Sequence, residues 1–258
     1  MKPLAIDLFC GLGGWTEGLL VEGWNVIGFD IERHDYGTGG YPAQLVLQDV
    51  LTLHGSQFKD AALIVASPPC QGYSYRAMPW SRAKALPPPD NSLFDACFRI
   101  QREAIEAAGH FIPLIVENVR GAQKWVGRAR WNFGSFYLWG DVPALMPMRK
   151  TVKVGNHPGL EWSKYGTPGY VGRGFNEIAR ERATKGQNPN GTKVGKDWFG
   201  GYGGGFGWDC SPMRRNSSNS NARKAASAAI AKIPFVLASH IARTWKPEAP
   251  LVPRSRSA

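Results

Sequence analysis

Apolar residues in the first half of the chain come in short runs separated by stretches of helical spacing. Residues 4–9, 25–30, 45–50 and 63–66 read as strands, and residues 111–118 and 134–139 read as two more. Between them, residues 15–22 read as a helix. So do residues 92–108, where Leu93, Ala96, Cys97, Ile100, Ala104, Ile105 and Ala108 recur on one face and Asn91 or Ser92 supplies the cap. Strands alternating with helices predict an α/β fold with a doubly wound, mostly parallel sheet. The pattern weakens after residue 140. From 141 to 221 glycine is dense, aromatic residues alternate with basic ones, and no period holds. Helical spacing returns over 222–246, divided by Pro234, and residues 247–258 form a Pro- and Arg-rich tail read as disordered. The predicted organisation is a domain over 1–140, a small loop-rich late insertion over 141–221, and C-terminal helices over 222–246 that return to the first domain.

Charge sharpens that division. The 258 residues carry a formal net charge of +11, and residues 150–215 supply +6 of it, which favours a polyanionic partner. The four cysteines, Cys10, Cys70, Cys97 and Cys210, lie far apart with no CxxC and no His/Cys pair at metal spacing. Neither a disulfide framework nor a metal site is expected. No apolar run is long enough to span a membrane, so a soluble, cytoplasmic protein is expected.

The chemistry gathers at predicted strand ends. In Ser67-Pro68-Pro69-Cys70-Gln71-Gly72, a thiol follows a buried strand and is held by two prolines, at the sheet edge where open α/β folds bind ligands. A small buried cysteine is the alternative reading. The first strand runs into Phe9-Cys10-Gly11-Leu12-Gly13-Gly14, a glycine-rich turn into a helix that lets a ligand approach the backbone. Asp30 ends the second strand, where an acid reaches ribose hydroxyls, and Asp49 ends the third, where an acid reaches a purine amine. Together they predict a nucleoside-bearing cofactor. Glu117 ends the fifth strand after four apolar residues, next to the thiol-bearing strand, so a nucleophile and a proton donor are expected side by side.

This set, with Asp7-Leu8-Phe9-Cys10-Gly11-Leu12-Gly13-Gly14, Asp30, Asp49, Pro69-Cys70-Gln71 and Glu117-Asn118-Val119 in order, resembles the S-adenosylmethionine-dependent DNA cytosine-C5 methyltransferases across residues 4–121. The resemblance implies the methyltransferase variant of the doubly wound sheet, with S-adenosyl-L-methionine as donor. It implies that Phe9 stacks on the adenine and that Gly11, Leu12, Gly13 and Gly14 line the methionine end. Asp30 holds the ribose, Ile31 and Val50 pack on the adenine, and Asp49 meets its amine. Pro69 shapes the nucleophile loop on the cofactor side. Cys70 attacks C6 of a flipped-out cytosine and Glu117 donates to N3. Gln71, Ser74 and Asn118 become the expected nucleic-acid contacts, Ser74 to a phosphate. The implied partner is double-stranded DNA. A compact, monomeric member of phage or prophage type, working in a restriction-modification setting in a bacterial or phage-infected cell, is the further implication.

Two family features are missing. The Gln-x-Arg element ahead of the sixth strand, whose arginine the resemblance places against the flipped base beside Cys70 and Glu117, is absent, and Arg130 or Arg128 is expected to replace it. The Gly-Asn pair that closes the cofactor pocket is also absent, with Ala231-Lys232-Ile233-Pro234 in its place. Two other readings stand beside the first. One keeps the chemistry but acts on RNA cytosine, or uses a modified donor for which Lys232 offers a charge partner. The other is a non-catalytic DNA-binding protein on the same scaffold.

Overall fold

In the computed structural model the described residues are 2–36, 39–74, 86–147 and 231–247, with Lys224, Ala225 and Ala228 besides. The elements are β1 (Leu4–Leu8), α1 (Gly14–Val21), β2 (Asn25–Asp30), β3 (Gln44–Leu47), β4 (Leu63–Ala66), α2 (Ser92–Ala108), β5 (Leu114–Asn118), α3 (Gln123–Val126), β6 (Trp131–Phe133), β7 (Phe136–Gly140) and α4 (Phe235–Thr244). The strands form one seven-stranded sheet in the order β3-β2-β1-β4-β5-β7-β6. The first five are parallel, while β7 runs antiparallel to both β5 and β6.

Alternation along the central strands sorts side chains to two faces. Ile6, Leu8, Ile64, Ala66, Leu114 and Val116 pack into one core with Phe94, Cys97, Ile100 and Ala104 of α2. Ala5, Leu63, Val65 and Ile115 pack into the other with Trp15 and Leu19 of α1 and with Leu237, Ala238 and Ile241 of α4. Central parallel strands covered on both faces must be apolar almost throughout, and every residue of β4 is buried. The C-terminal helix is therefore part of the sheet domain: α4 lies along α1, and the Trp24 indole donates to the Ala242 carbonyl at 3.1 Å. Pro234 caps α4, as its role of dividing two helical pieces required.

Four local expectations change. β3 stops at Leu47, because Asp49 accepts the Leu51 amide and turns the chain into a short 3-10 segment, Val50–Thr52. β5 starts at Leu114, just after Pro113, which has no amide to donate to a ladder. The run 134–139 is one arm of a hairpin whose other arm, β6, precedes it. The N-cap of α2 is Asn91, one of the two expected residues, but its side chain makes no cap bond; instead the Asp90 carboxylate accepts from both the amide and hydroxyl of Ser92. Residues 148–221 of the predicted insertion and 248–258 of the predicted tail lie outside the described residues.

Candidate active site at the carboxyl ends of the strands

From β1 the chain steps outward to β2 and β3, then returns to β4 on the other side of β1. The crevice between the ends of β1 and β4 is the switch point where such sheets bind ligands. On the β1 side, Phe9 takes φ 56°, a left-handed conformation that costs a non-glycine residue about 1–2 kcal/mol. Gly13 follows at φ 76°, and the Gly13 amide closes the turn on the Cys10 carbonyl at 2.8 Å. The turn is walled on two sides. A methyl group on Gly13 would stand 2.6 Å from Pro42, and one on Gly14 would stand 2.4 Å from the Ile233 amide nitrogen. It is open on a third, since the same test at Gly11 meets nothing within 4 Å. That gap is room for a ligand against backbone.

Asp30 organises the far wall. Its Oδ2 accepts the Gly11 amide at 2.9 Å and its Oδ1 accepts the Ile31 amide at 2.8 Å. His34 Nε2 lies 3.4 Å from the same Oδ1. Burial opposes ionisation of Asp30, but the bonds from His34 and the Gly11 amide outweigh it and hold the carboxyl below its usual range. The same bond to Asp30 raises His34. Beside this anion Ile31 is 74% exposed, a bare apolar surface next to a fixed carboxylate. Leu12 and Phe9 are half-buried. Asp49 is half-buried and spends one oxygen on its turn, whereas Val50 is buried in the core beneath it rather than on the surface of the crevice. A fixed carboxylate, an apolar platform and an amide-rich turn with space in front of it suit a nucleoside-bearing group.

Beneath the turn lies a network absent from the sequence reading. Asp7 is fully buried, Thr16 donates to its Oδ2 at 2.6 Å, and Tyr41 reaches both side chains. Burial raises the Asp7 carboxyl to about 7 despite the bond from Thr16. The signals available were an acid inside an apolar strand and a tyrosine between Gly40 and Pro42, neither of which names its partner.

On the β4 side, Cys70 sits at the head of a 3-10 turn, Gln71–Tyr73, with φ −95° and ψ 0°. That bridge region of backbone space is sparsely used and common at active sites. Cys10 and Cys97 are buried, and burial pushes both thiols up; Cys70 alone of the described cysteines is partly exposed. Pro69 and Gln71 are exposed, and Ser74 is half-buried. Ala66 pairs with Val116, so Glu117, 5% exposed, falls one residue past the last position of β5 that pairs with β4.

Two contacts lock these two strand ends together, and a third ties the end of β4 to α1. Asn118 donates to the Pro68 carbonyl at 3.0 Å. A methyl group on Gly121 would stand 2.2 Å from the Tyr73 carbonyl oxygen, so the turn after β5 rests directly on the turn after Cys70. The Trp15 indole donates to Ser67 Oγ at 3.0 Å from the other side. Asn118, expected as a nucleic-acid contact, is 1% exposed and also accepts the Val119 amide. Its place is under the nucleophile loop, because a buried amide must find its partners inside the fold.

Arg130 is exposed and stands with Arg120 and Arg128 around a pocket of about 310 Å³ beside the end of β5. Lys232 lies against the glycine turn, and its Nζ is 2.5 Å from Glu17 of α1. The charge considered for a modified donor is therefore already paired. Among the described residues no group of three His, Cys, Asp or Glu side chains is placed to hold a metal ion, and no helix is long and apolar enough to cross a membrane.

Fold and site together define a doubly wound α/β protein with a crevice suited to a nucleoside-bearing group on one side of the switch point and a thiol and a carboxylate on adjoining strand ends on the other. Residues 4–125 match the family model of C-5 cytosine-specific DNA methylases. Among solved structures, the chain is similar to one described as a DNA modification methyltransferase encoded within an E. coli prophage. The two are 27% identical, with a TM-score of 0.36, over 49% of this chain and 35% of that one. The S. pombe Dnmt2 methyltransferase is 18% identical over 49% of this chain and 37% of its own, with a TM-score of 0.34. An S-adenosylmethionine-dependent methyltransferase from Clostridium acetobutylicum is 17% identical over 54% of each chain, with a TM-score of 0.25. The matched part thus spans little more than a third of the first two proteins. No curated protein matches the chain.

Proposed function

We propose that this chain transfers a methyl group from S-adenosyl-L-methionine to C5 of cytosine in double-stranded DNA through a covalent bond between Cys70 and C6. The observation that carries the reading is the pairing of the one accessible described thiol, Cys70, with Glu117 on the adjoining strand end, inside a domain of the cytosine-C5 methylase family. The crevice supports the choice of donor: Asp30 suits the ribose hydroxyls, the exposed Ile31 face suits the adenine, and the open space at Gly11 suits the methionine end. The sulfonium supplies an electrophilic methyl group when bound there.

The Cys70 thiolate adds to C6 of the base, and Glu117, holding a proton at its carboxyl, donates to N3. Electron density moves to C5, which becomes the nucleophile toward the methyl carbon. Loss of the C5 proton to a base then allows elimination, which re-forms the C5–C6 double bond and frees the Cys70 thiolate. C6 is inaccessible in a stacked duplex, so the cytosine must leave the helix to reach Cys70. The Asn118 and Gly121 contacts fix the Cys70 turn against the Glu117 strand before substrate arrives, which lowers the ordering cost of the first step.

Incubating the protein with duplex DNA and donor and analysing the digested nucleosides by mass spectrometry tests the reading. 5-Methylcytosine is expected from duplex DNA. The modified base on RNA alone, a heavier group at C5, or no product despite tight DNA binding would each replace it with one of the other readings.

A further inference from the structure

The arginine pocket beside β5 has no place in the steps above. Arg120 comes from the turn that follows Glu117 and Asn118, and Arg128 and Arg130 from the arm that leads into β6. The remaining lining includes Gln123, Trp131, Asn132 and Tyr137, and no carboxylate. All three guanidinium groups are on exposed residues.

The arrangement is built, not a chance meeting of long side chains. Gln123 bridges the two arginine-bearing segments: its Nε2 donates to the Arg120 carbonyl at 3.4 Å, and its Oε1 accepts the Ala129 amide at 3.2 Å. The Arg130 amide donates to the Leu138 carbonyl at 2.8 Å, and the Trp139 indole donates to the Gly127 carbonyl at 2.9 Å. The arm carrying Arg128 and Arg130 is thus pinned at both ends. Three cations converging on an open pocket, with no acid among the described residues that line it, repel one another unless an anion joins them. Guanidinium groups match the paired oxygens of a phosphate, and the pocket is open enough to take a chain passing through it.

We infer that Arg120, Arg128 and Arg130 form a phosphodiester clamp that grips the backbone of the DNA strand flanking the target cytosine. The inference rests on the proposed function for the identity of the polymer. The clamp sits on the segments that follow Glu117, and its register is fixed by β5 and β7, where Asn118 pairs with Tyr137 of the pocket lining. Holding the backbone there anchors one side of the flipped nucleotide while Cys70 and Glu117 take the base. Arg130 thereby serves the phosphate and not the base, in contrast to the sequence expectation.

The test is the salt dependence of duplex binding by the full chain, compared with Arg120→Gln, Arg128→Gln and the triple variant with Arg130→Gln. Each phosphate contact contributes about 0.9 to the slope of log Kd against log salt. Each single change should lower the slope by up to about 1 and weaken specific and non-specific duplexes alike, and the triple variant should lower the slope further. Because the three side chains are exposed, the variants should keep the wild-type melting temperature and donor affinity. Wild-type slope and affinity in the triple variant would overturn the clamp. So would an unchanged slope with loss of the adduct on 5-fluorocytosine DNA, which would return the arginines to the base. If wild-type protein forms no such adduct but the slopes fall as stated, the clamp stands and the methyl-transfer reading fails.

Discussion

The two sides of the switch point are made differently. On the β1–β3 side the crevice is enclosed: Pro42 and Ile233 wall the glycine turn, the Gly11 amide is tied to Asp30, and Tyr41 and Thr16 close over a buried acid. On the β4–β5 side everything is fastened from beneath and bare on top. Asn118, Gly121 and Tyr73 secure the loops, while Gln71, Pro69, Arg120, Arg128 and Arg130 face outward. An enclosed cleft suits a small ligand that must be surrounded, and an open cationic ledge suits a polymer that can only be held along one side. One sheet edge thus offers two surfaces suited to ligands of very different size.

Glu117→Gln should break the reactive side alone. With a proton donor lost, turnover should fall by about 10²–10⁴-fold, equivalent to about 3–5 kcal/mol of transition-state stabilisation, while donor affinity measured by calorimetry stays at the wild-type value. A parallel loss of donor affinity would mean that the two sides are not separable.

On the enclosed side, Asp7 makes the fold sensitive to pH. Its folded pKa of about 7 lies above the unfolded value near 4, so its contribution is fully present below about pH 4 and is lost as pH rises through 7. The loss is on the order of 4 kcal/mol. Asp7→Asn should remove it, and the difference in unfolding free energy between variant and wild type should grow in favour of the variant between pH 4 and 8. A flat difference would show that the Asp7 carboxyl is not raised in the fold above its unfolded value.

Gly14→Ala should cost about 1–3 kcal/mol, because its methyl group meets backbone at Ile233 that cannot swing away. The same change should weaken the donor more than the DNA, which is read by the two dissociation constants. Lys232→Ala should have the smallest effect. Its bridge to Glu17 joins two partly exposed side chains, so a change of about 0–1 kcal/mol is expected in thermal unfolding. A larger loss would make Lys232 a structural part of the crevice wall.

The sheet and the placing of Cys70 and Glu117 at adjoining strand ends were legible because their signals are local. Apolar runs mark the strands, and a charge or thiol placed at the end of such a run marks the ligand edge, as with Asp30, Cys70 and Glu117. The family set added order and spacing, and residues 4–125 match it. What stayed hidden depends on which distant segments meet. Asn118 lies 50 residues from the carbonyl it holds, Thr16 lies 25 residues from Tyr41, and Ile233 arrives from the far end of the chain. A motif cannot say whether a polar side chain faces outward or is used within, which is why Asn118 was read as a contact and is found under the loop. Val50 was likewise read as a platform and is found in the core. The arginines were visible singly, but only the β6–β7 hairpin and the Gln123 bridge bring Arg128 and Arg130 to Arg120.

The central claim is the covalent step, and intact-protein mass spectrometry tests it most directly. Duplex DNA carrying 5-fluorocytosine blocks loss of the C5 substituent, so wild-type protein with S-adenosyl-L-methionine should accumulate a denaturation-resistant protein–DNA adduct mapped to Cys70, and Cys70→Ala should form none. An adduct that persists in Cys70→Ala, or its absence in wild-type protein that binds both DNA and donor, would contradict the account.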